Sequence, residues 1–344
     1  MHVIVHAAQS QTDEYEELVS AYSSGATGNQ WLHAVDNNLS LLIPSILDDY
    51  VATVELPWRR KESALDSETI FRYGAYAGSV IRVYPSLVRA MDTARSHIRS
   101  CEESGQSVAN GSLILASSLS LSKGRFSRTW HAPPGGLWGC LLIADTFLPQ
   151  FRNFLPLIPG IACCEALRQE GASSAAIRWV NDVLLGGKKQ AGFLIEGFCS
   201  PVYKENYHLM GFGLNINNES FPPELQESAV SLSQVLNRPI ELSSFALSFL
   251  AKLRYYIGLL LYEEEQWLAR GGGDEYLDEH PIIKRWKELS DTLGKRVQFG
   301  YDVIMNPQYK ALACDLAVDG GLILKHDDGT SSVEHSGEIR YCEK

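Results

Sequence analysis

The sequence predicts an α+β protein, with a layered domain of mixed sheet and helices followed by a small β-barrel. Between Gly78 and Ile216, short apolar runs outnumber helical patterns and follow one another, without a regular strand–helix–strand alternation. After Thr292, short β-like runs are separated by turns at Asp319-Gly320-Gly321 and Asp327-Asp328-Gly329, a pattern typical of a small barrel. A length of 344 residues indicates two or three domains.

Local patterns predict the individual elements. Apolar runs bounded by turn residues predict strands, and amphipathic runs bounded by helix breakers predict helices. The predicted strands of the layered domain are Val80–Tyr84, Gly111–Ala116, Gly136–Ala144, Ile177–Leu185, Gln190–Phe198 and Tyr207–Ile216, and its predicted helices are Thr93–Glu103, Leu155–Gln169 and Ser243–Ala269. The tail is predicted to contain the helix Ile282–Thr292 and strands at Arg296–Tyr301, Tyr309–Val318, Leu322–Lys325 and Ser332–Ile339.

The first 78 residues form a segment whose role the sequence does not indicate. His2–Ala7 favours a short strand, and Thr12–Tyr22 favours an amphipathic helix that the run Ser23–Asn29 ends. The segment contains no evident helix-turn-helix. The predicted organisation is therefore residues 1–78, a layered domain at 79–270, and the barrel at 280–344.

Composition excludes several classes of function. The formal net charge is −11, from 41 acidic against 30 basic residues, so an average surface repels nucleic acid and none is expected as a partner. The seven cysteines are scattered and show neither a disulfide framework nor metal-ligand spacing, which favours a reduced compartment.

The same reasoning predicts a cytoplasmic protein without a membrane span. The start MHVIVHAAQS lacks the basic and long apolar regions of a signal peptide. The most apolar stretch, Phe245–Tyr262, is interrupted by Lys252 and Arg254.

A hairpin is predicted to bring a carboxylate and an ammonium group together. Gly186-Gly187 suits a two-residue turn with positive φ, which sets Lys189 opposite Leu184. Lys189 and Asp182 then share a face as diagonal neighbours, roughly 7–8 Å apart. Asp is a suitable ligand for Mg²⁺, Lys is a compact charge for phosphate oxygens, and Asn181 adds a hydrogen-bonding group. The alternative is a solvent-facing strand with an ordinary ion pair.

A basic loop interrupts this acidic chain. Lys123, Arg125 and Arg128 lie within six residues. Clustered guanidinium groups bind phosphate in a fork, which favours an anion-binding loop. Gly124 permits close approach of the backbone, and Trp130 offers a face for adenine or an apolar ligand. The alternative is a solvated basic loop.

The last predicted strand of the layered domain contains the run Gly211-Phe212-Gly213-Leu214-Asn215. It is not a dinucleotide-binding fingerprint, because no helix follows and Ile216 stands at the third glycine position. Glycines at alternate strand positions clear one face and leave a slot for a flat or extended ligand. The alternative is a bulged strand.

In this order, the three motifs resemble the catalytic domain of biotin–protein ligases, in the biotin/lipoate protein ligase superfamily. In that family the loop is approximately GRGRxGRxW, the hairpin is KWPND with a lysine just before AG, and the strand is GIGIN. The matching stretches in this sequence are Lys123–Trp130, Arg178–Asp182 with Lys189 before Gln190-Ala191-Gly192, and Gly211–Asn215. Supporting matches occur at Gly135–Trp138, Trp286–Gln298 and Ser336–Ile339, so the resemblance covers roughly residues 80–341.

The resemblance implies a fold and a reaction. The fold is a class II synthetase-like catalytic domain with a mixed sheet and helices, plus a small C-terminal SH3-like β-barrel. The reaction is ATP- and Mg²⁺-dependent activation of biotin to biotinyl-adenylate. The biotinyl group is then transferred to a lysine of a biotin carboxyl carrier protein. A homodimer is one assembly that the resemblance allows.

Carried over residue by residue, the resemblance implies a set of roles. Lys189 would bind the carboxylate and the α-phosphate while the acyl-adenylate forms, and Arg128 would join it as a catalytic residue. The implied nucleotide set is Lys123, Gly124, Arg125, Trp130, Asn181, Asp182 and Asn215, with Asp182 also implied as a ligand of Mg²⁺. The implied acid-binding set is Thr93, Leu119, Gly192, Gly211 and Gly213.

The sequence departs from the family mainly where the acid is recognised. Asp92 is followed by Thr93-Ala94-Arg95 where the family has Ser-Thr-Asn, and Leu119 replaces a glutamine that the family uses on the ureido ring. Each unpaired buried polar group costs on the order of 1–3 kcal/mol. Two alternatives therefore stay open: a ligase for a related acid, lipoate or octanoate, and a non-catalytic paralogue that binds an acyl-adenylate.

Overall fold

A computed structural model describes residues 39, 42–125, 128–272 and 279–342 of the chain. The predictions of a strand at His2–Ala7 and a helix at Thr12–Tyr22 fall outside these residues.

Helices and strands follow one another along the described chain. The α-helices are α1 Pro44–Tyr50, α2 Leu56–Glu62, α3 Ser67–Gly74, α4 Ala90–Glu103, α5 Pro149–Arg152, α6 Ile158–Gln169, α7 Leu232–Leu236, α8 Leu242–Ala269 and α9 Pro281–Leu289. A π-helical turn, Val51–Glu55, joins α1 to α2, and 3₁₀ turns occur at Leu155–Leu157 and Pro223–Leu225. The strands are β1 Val80–Tyr84, β2 Ser112–Ala116, β3 Leu137–Ala144, β4 Ala176–Arg178, β5 Asp182–Leu185, β6 Lys188–Cys199, β7 Asn206–Leu214, β8 Arg296–Gly300, β9 Tyr309–Leu316, β10 Leu322–Lys325, β11 Ser331–Glu334 and β12 Glu338–Tyr341.

The larger sheet has seven strands in the order β1-β2-β3-β7-β6-β5-β4. β1 and β2 are parallel, and the other neighbouring strands are antiparallel. A mixed sheet of this kind confirms the predicted α+β class.

Side chains of the central strands alternate between two cores, as the two-residue period of a strand requires. Leu113 and Leu141 face the core that α6 and α8 cover, whereas Ile114, Cys140 and Leu209 face the core under α4. The sheet therefore lies between two helical layers.

Helix α8 is long and apolar enough to cross a membrane by length and composition, but 89% of its most apolar stretch is buried inside the protein. It packs on α3 and α6. The approach to α3 is close, because a Cβ atom added to Gly74 would lie 1.9 Å from the carbonyl oxygen of Arg254. Lys252 is neutralised within the packed region by Glu55, 2.7 Å away. Helix α8 is a core helix.

The prediction of one strand over Ile177–Leu185 is wrong. The segment forms an antiparallel pair, β4 and β5, in which Arg178 lies opposite Asp182. The chain reverses at residues 179–181, where the buried Trp179 packs near Phe299 and its backbone N–H donates to Thr292 Oγ1 at 3.0 Å. Anchoring of the tryptophan accounts for the turn.

The C-terminal region forms a five-stranded antiparallel sheet in the order β11-β10-β9-β8-β12, which confirms the prediction of a small separate β unit. The single strand predicted at Ser332–Ile339 is wrong, because it is divided between β11 and β12. Gly337 lies between them with φ of +125°, in the left-handed region that favours glycine. The turn lets β12 pair with β8 at the far edge of the sheet.

Candidate active site

A cavity of about 630 Å³ opens on the α4 side of the larger sheet, a size typical of small-molecule sites. Its walls are the basic loop, the β5–β6 hairpin, β7 and the edge of the small sheet. The predicted site residues that line it are Leu119, Lys123, Gly124, Arg125, Arg128, Trp130, Asn181, Asp182, Lys189, Gly192, Gly211, Gly213 and Asn215. Thr93 does not line it; its hydroxyl donates to the carbonyl oxygen of Arg89 at 3.1 Å.

The predicted register of the hairpin is confirmed at its turn, where Leu184 lies opposite Lys189. A β-bulge after Val183 then shifts the pairing, so that Asp182 lies opposite Gly192. The two charged side chains meet directly, with Lys189 Nζ 2.6 Å from Asp182 Oδ1. The predicted gap for a third group between them is not present in this arrangement.

Asp182 is the anionic centre of the site. Its second oxygen, Oδ2, accepts from Arg178 Nη2 at 2.6 Å, and its side chain is 17% exposed. Burial opposes ionisation, but the charges of Lys189 and Arg178 outweigh it and lower the pKa of this carboxyl. The carboxylate is therefore charged at neutral pH and keeps the ammonium group of Lys189 inside the cavity.

The side chains of both asparagines of the site are hydrogen-bonded within the chain. Asn181 donates through Nδ2 to the carbonyl oxygen of Phe193, and its backbone carbonyl accepts from the Phe193 N–H at 3.1 Å. Asn215 is buried and accepts at Oδ1 from Asn218 Nδ2 at 3.0 Å. These bonds fix the backbone around the cavity; a direct role toward nucleotide stays a prediction.

The slot predicted over the alternate glycines is occupied by side chains of the chain itself. A Cβ atom on Gly213 would lie 2.7 Å from Trp130 Nε1, and one on Gly192 would lie 3.1 Å from the same indole ring. Over Gly211, the corresponding position lies 2.7 Å from the sulfur of Met91. In this arrangement the glycines admit an indole and a thioether, and their role toward the acid stays a prediction.

Apart from Arg89, the end of the cavity near α4 is apolar. Ala94 is fully buried in the core under α4, together with Met91, and Leu119 and Leu194 pack against that core. The hydroxyl of Thr93 is already engaged with the backbone of its own helix. The side chains at this end therefore offer contact area to an apolar ligand and few hydrogen bonds.

The basic loop folds back on itself. Lys123 pairs with Thr129, and the N–H of Gly124 donates to the carbonyl oxygen of Arg128 at 2.8 Å. The N–H of Trp130 donates to the carbonyl oxygen of Ser122 at 2.9 Å. The loop thus brings its cations to the mouth of the cavity.

Both loop arginines contact the small sheet. Arg125 Nη1 donates to the carbonyl oxygen of Gly337 at 2.6 Å. Arg128 donates to both carboxylate oxygens of Glu338, at 2.9 and 2.7 Å, and to Asp302 Oδ1 at 2.7 Å. Burial lowers the pKa of Arg125, whereas Glu338 and Asp302 raise that of Arg128 against the opposing effect of burial.

Several residues in or beside the cavity lining were not predicted from the sequence. Arg178 begins the stretch that matches KWPND, but its pairing across a turn with Asp182 depends on the unpredicted division of the strand. Glu338 lies in a matched stretch, but nothing in the sequence links it to Arg128. Asp302 lacked any signal.

Within the part of the chain that the structure describes, the side chains do not form a resident metal site. Among the described residues, no group of three or more His, Cys, Asp or Glu side chains is arranged to hold a metal ion. Asp182 offers a single carboxylate whose two oxygens already bind Lys189 and Arg178. Magnesium ligation by Asp182 therefore stays a prediction.

The fold and the cavity define a two-sheet α+β protein with a cationic small-molecule site on its mixed sheet. Residues 96–215 match the sequence model of the biotin/lipoate A/B protein ligase family. This part of the chain is similar to that family.

Individual relatives are similar over part of the chain. The bifunctional ligase/repressor BirA of Bacillus spizizenii is 31% identical over 152 residues, which are 42% of this chain and 46% of that protein. The biotin–acetyl-CoA-carboxylase ligase of Paracoccus denitrificans is 34% identical over 85 residues, or 24% of this chain and 35% of that protein. The chain thus spans less than half the length of either relative.

A solved structure has the same fold. The biotin protein ligase from Aquifex aeolicus in complex with biotin and ATP superposes with a TM-score of 0.58 at 19% identity, over 77% of this chain and 99% of that one.

Proposed function

We propose that the chain activates biotin with ATP and transfers it to a lysine of a carboxyl carrier domain. The observation that carries this proposal is the ammonium group of Lys189, held by Asp182 inside a cavity of about 630 Å³ whose mouth carries further cations. An acid and a nucleotide are both anions, and bringing them together requires such a cationic site. The similarity to proteins named as ligases for biotin supports the choice of acid.

In the first step, a carboxylate oxygen of the acid attacks the α-phosphorus of ATP, and pyrophosphate leaves. Negative charge grows on the α-phosphate, where the ammonium of Lys189 stabilises it because Asp182 holds the lysine in place. Lys123 and Arg125, at the mouth of the cavity, bind the phosphates that depart.

In the second step, the amine of the carrier lysine attacks the acyl carbon of the mixed anhydride. An amide bond forms, AMP leaves, and the amine proton passes to solvent. The residues that bind the adenylate thus serve both steps, because the same phosphate is the electrophile first and the leaving group later.

Magnesium enters as part of the nucleotide substrate. Mg²⁺ retains several water molecules and binds through one or two carboxylates together with phosphate oxygens. The paired carboxylate of Asp182 is compatible with this supporting role and does not form a dedicated site. A cytoplasmic location, the absence of a nucleic-acid partner and a homodimer stay predictions.

The test is ATP–pyrophosphate exchange by the full chain with biotin, lipoate and octanoate in turn. We expect exchange with biotin, followed by transfer to a purified carrier domain. Lipoate and octanoate are included because Leu119 and Ala94 present no hydrogen-bonding group to a ureido ring. Exchange with one of these acids alone would assign the reaction to that acid, and exchange with none by the folded protein would contradict the proposal.

A further inference from the structure

The basic loop is attached to the small sheet by charged contacts that the proposed reaction does not itself use. Arg128 forms a forked pair with Glu338 and a further bond to Asp302, all between 2.7 and 2.9 Å. Arg125 adds a bond of 2.6 Å to the carbonyl oxygen of Gly337. Residues some two hundred positions apart therefore form one network at the mouth of the cavity.

The balance of charge argues against Arg128 as a free phosphate ligand. Its side chain is 38% exposed, whereas those of Glu338 and Asp302 are 15% and 23% exposed, so the carboxylates lie deeper than the cation. Both terminal nitrogens donate to carboxylates. If a phosphate bound this guanidinium instead, the partly buried carboxylates of Glu338 and Asp302 would lose their cation, which costs free energy.

Asp302 is itself fixed by the small sheet. Its Oδ1 atom accepts from the N–H groups of Ile304 and Met305 at 3.2 and 3.1 Å, and its backbone pairs with Asn306. Glu338 begins β12 directly after the turn at Gly337. The partners of Arg128 are thus held by strand β12 and by the turn that follows β8, and the loop gains its position from them.

We infer that Arg128 is a positioning residue that clasps the loop Lys123–Trp130 to the small sheet through Glu338 and Asp302. The clasp holds Lys123 and Arg125 over the cavity, so the small sheet sets the affinity for the nucleotide. This inference rests on the proposed function for the identity of the anion. Its geometric part, the restraint of the loop, does not.

The first experiment compares Glu338→Gln with the natural chain in ATP–pyrophosphate exchange. Loss of the forked pair should raise KM for ATP about ten-fold, with little change in KM for the acid, because one charge-assisted contact no longer orders the loop. Glu334→Gln is the matched control, since Glu334 lies on β11, at the opposite edge of the same sheet, and accepts a hydrogen bond from the Tyr309 hydroxyl at 2.6 Å. An unchanged KM for ATP in Glu338→Gln would mean that the forked pair does not order the loop, and a lowered KM would mean that Glu338 competes with phosphate. Either result would overturn the inference.

A double-mutant cycle separates a clasp from two independent effects. If Arg128→Ala and Glu338→Gln act on one contact, the double variant should have the same KM for ATP as the single variant with the higher KM. Multiplication of the two effects, to about a hundred-fold, would show that Arg128 contacts phosphate by itself and would contradict the clasp.

Limited trypsin digestion tests the restraint without any substrate. Cleavage after Lys123, Arg125 or Arg128 should be about ten-fold faster in Glu338→Gln than in Glu334→Gln, while urea midpoints report whether each variant is folded. Equal cleavage rates in two folded variants would refute the clasp. Absence of exchange with all acids, combined with faster cleavage, would instead contradict the proposed function and leave the clasp supported.

Discussion

Replacing Lys189 by alanine separates two contributions of its ion pair with Asp182, one to folding and one to catalysis. The ammonium lies 2.6 Å from the carboxylate, and the lysine side chain is 33% exposed. After the substitution, Asp182 keeps its second partner, Arg178, at 2.6 Å. The carboxylate is therefore not left without a cation.

The two contributions differ in size. A buried charge-assisted hydrogen bond contributes about 1.5–3 kcal/mol, and exposed ion pairs about 0–1 kcal/mol. Lys189 lies between these limits because of its exposure, so Lys189→Ala should lower the free energy of unfolding by about 1 kcal/mol. Removing one preorganised donor from developing phosphate charge costs roughly 10²–10³ in rate, or about 3–4 kcal/mol.

The measurements are urea denaturation and ATP–pyrophosphate exchange on the same preparations. Lys188→Ala is the matched control, because Lys188 is adjacent, 40% exposed, and bonds through Nζ to the carbonyl oxygen of Gln226 at 2.9 Å. We expect normal exchange in the control and a loss of at least about a hundred-fold in Lys189→Ala. Exchange within about ten-fold of the natural chain in Lys189→Ala would refute the assigned role.

Three further perturbations test the packing and the charges around the site. Glu165→Gln should lower the free energy of unfolding by about 3–5 kcal/mol, because it leaves the buried guanidinium of Arg59 short of a carboxylate; a urea midpoint equal to that of the natural chain would contradict this. Folding lowers the pKa of Asp182, so this carboxylate stabilises the fold fully above the unfolded pKa of about 3.9, and the stabilisation is lost as pH falls through the lower folded value. Asp182→Asn should therefore flatten the pH dependence of the urea midpoint in that range. Urea midpoints that changed with pH in parallel in Asp182→Asn and in the natural chain would contradict this expectation. In Gly213→Ala the added methyl group would lie 2.7 Å from the indole of Trp130, so it should displace the indole at a cost of about 1–3 kcal/mol in the free energy of unfolding. The displacement should shift the tryptophan emission, and unaltered emission would contradict this close approach.

Much of the site was predictable because it depends on local geometry. A two-residue glycine turn fixes the pairing beside it, so the opposition of Leu184 and Lys189 followed from the sequence alone. The alternation of strand side chains then put Asp182 on the same face. Local rules sufficed wherever the interacting residues lay within one hairpin.

The rest depends on contacts between distant segments. Nothing local indicates that Arg128 meets Glu338, or that Trp130 covers Gly213, since each contact needs the packed position of a separate element. The bulge after Val183 is a further case, because it converts a diagonal neighbour into a direct ion pair. Such contacts are set by tertiary packing, which patterns of single segments do not contain.

Buried ion pairs join the helices before residue 79 to the domain of the larger sheet. Glu55 and Arg59, from the segment before residue 79, are buried with Lys252 and Glu165 in one network of ion pairs. Buried charges gain little net stability from pairing, but an unpaired one is costly, so such a network tolerates one docking position and penalises others. We therefore propose that the domain of the larger sheet includes the chain from Leu42 onward. A domain boundary at residue 79 would separate Lys252 from Glu55 and Glu165 from Arg59.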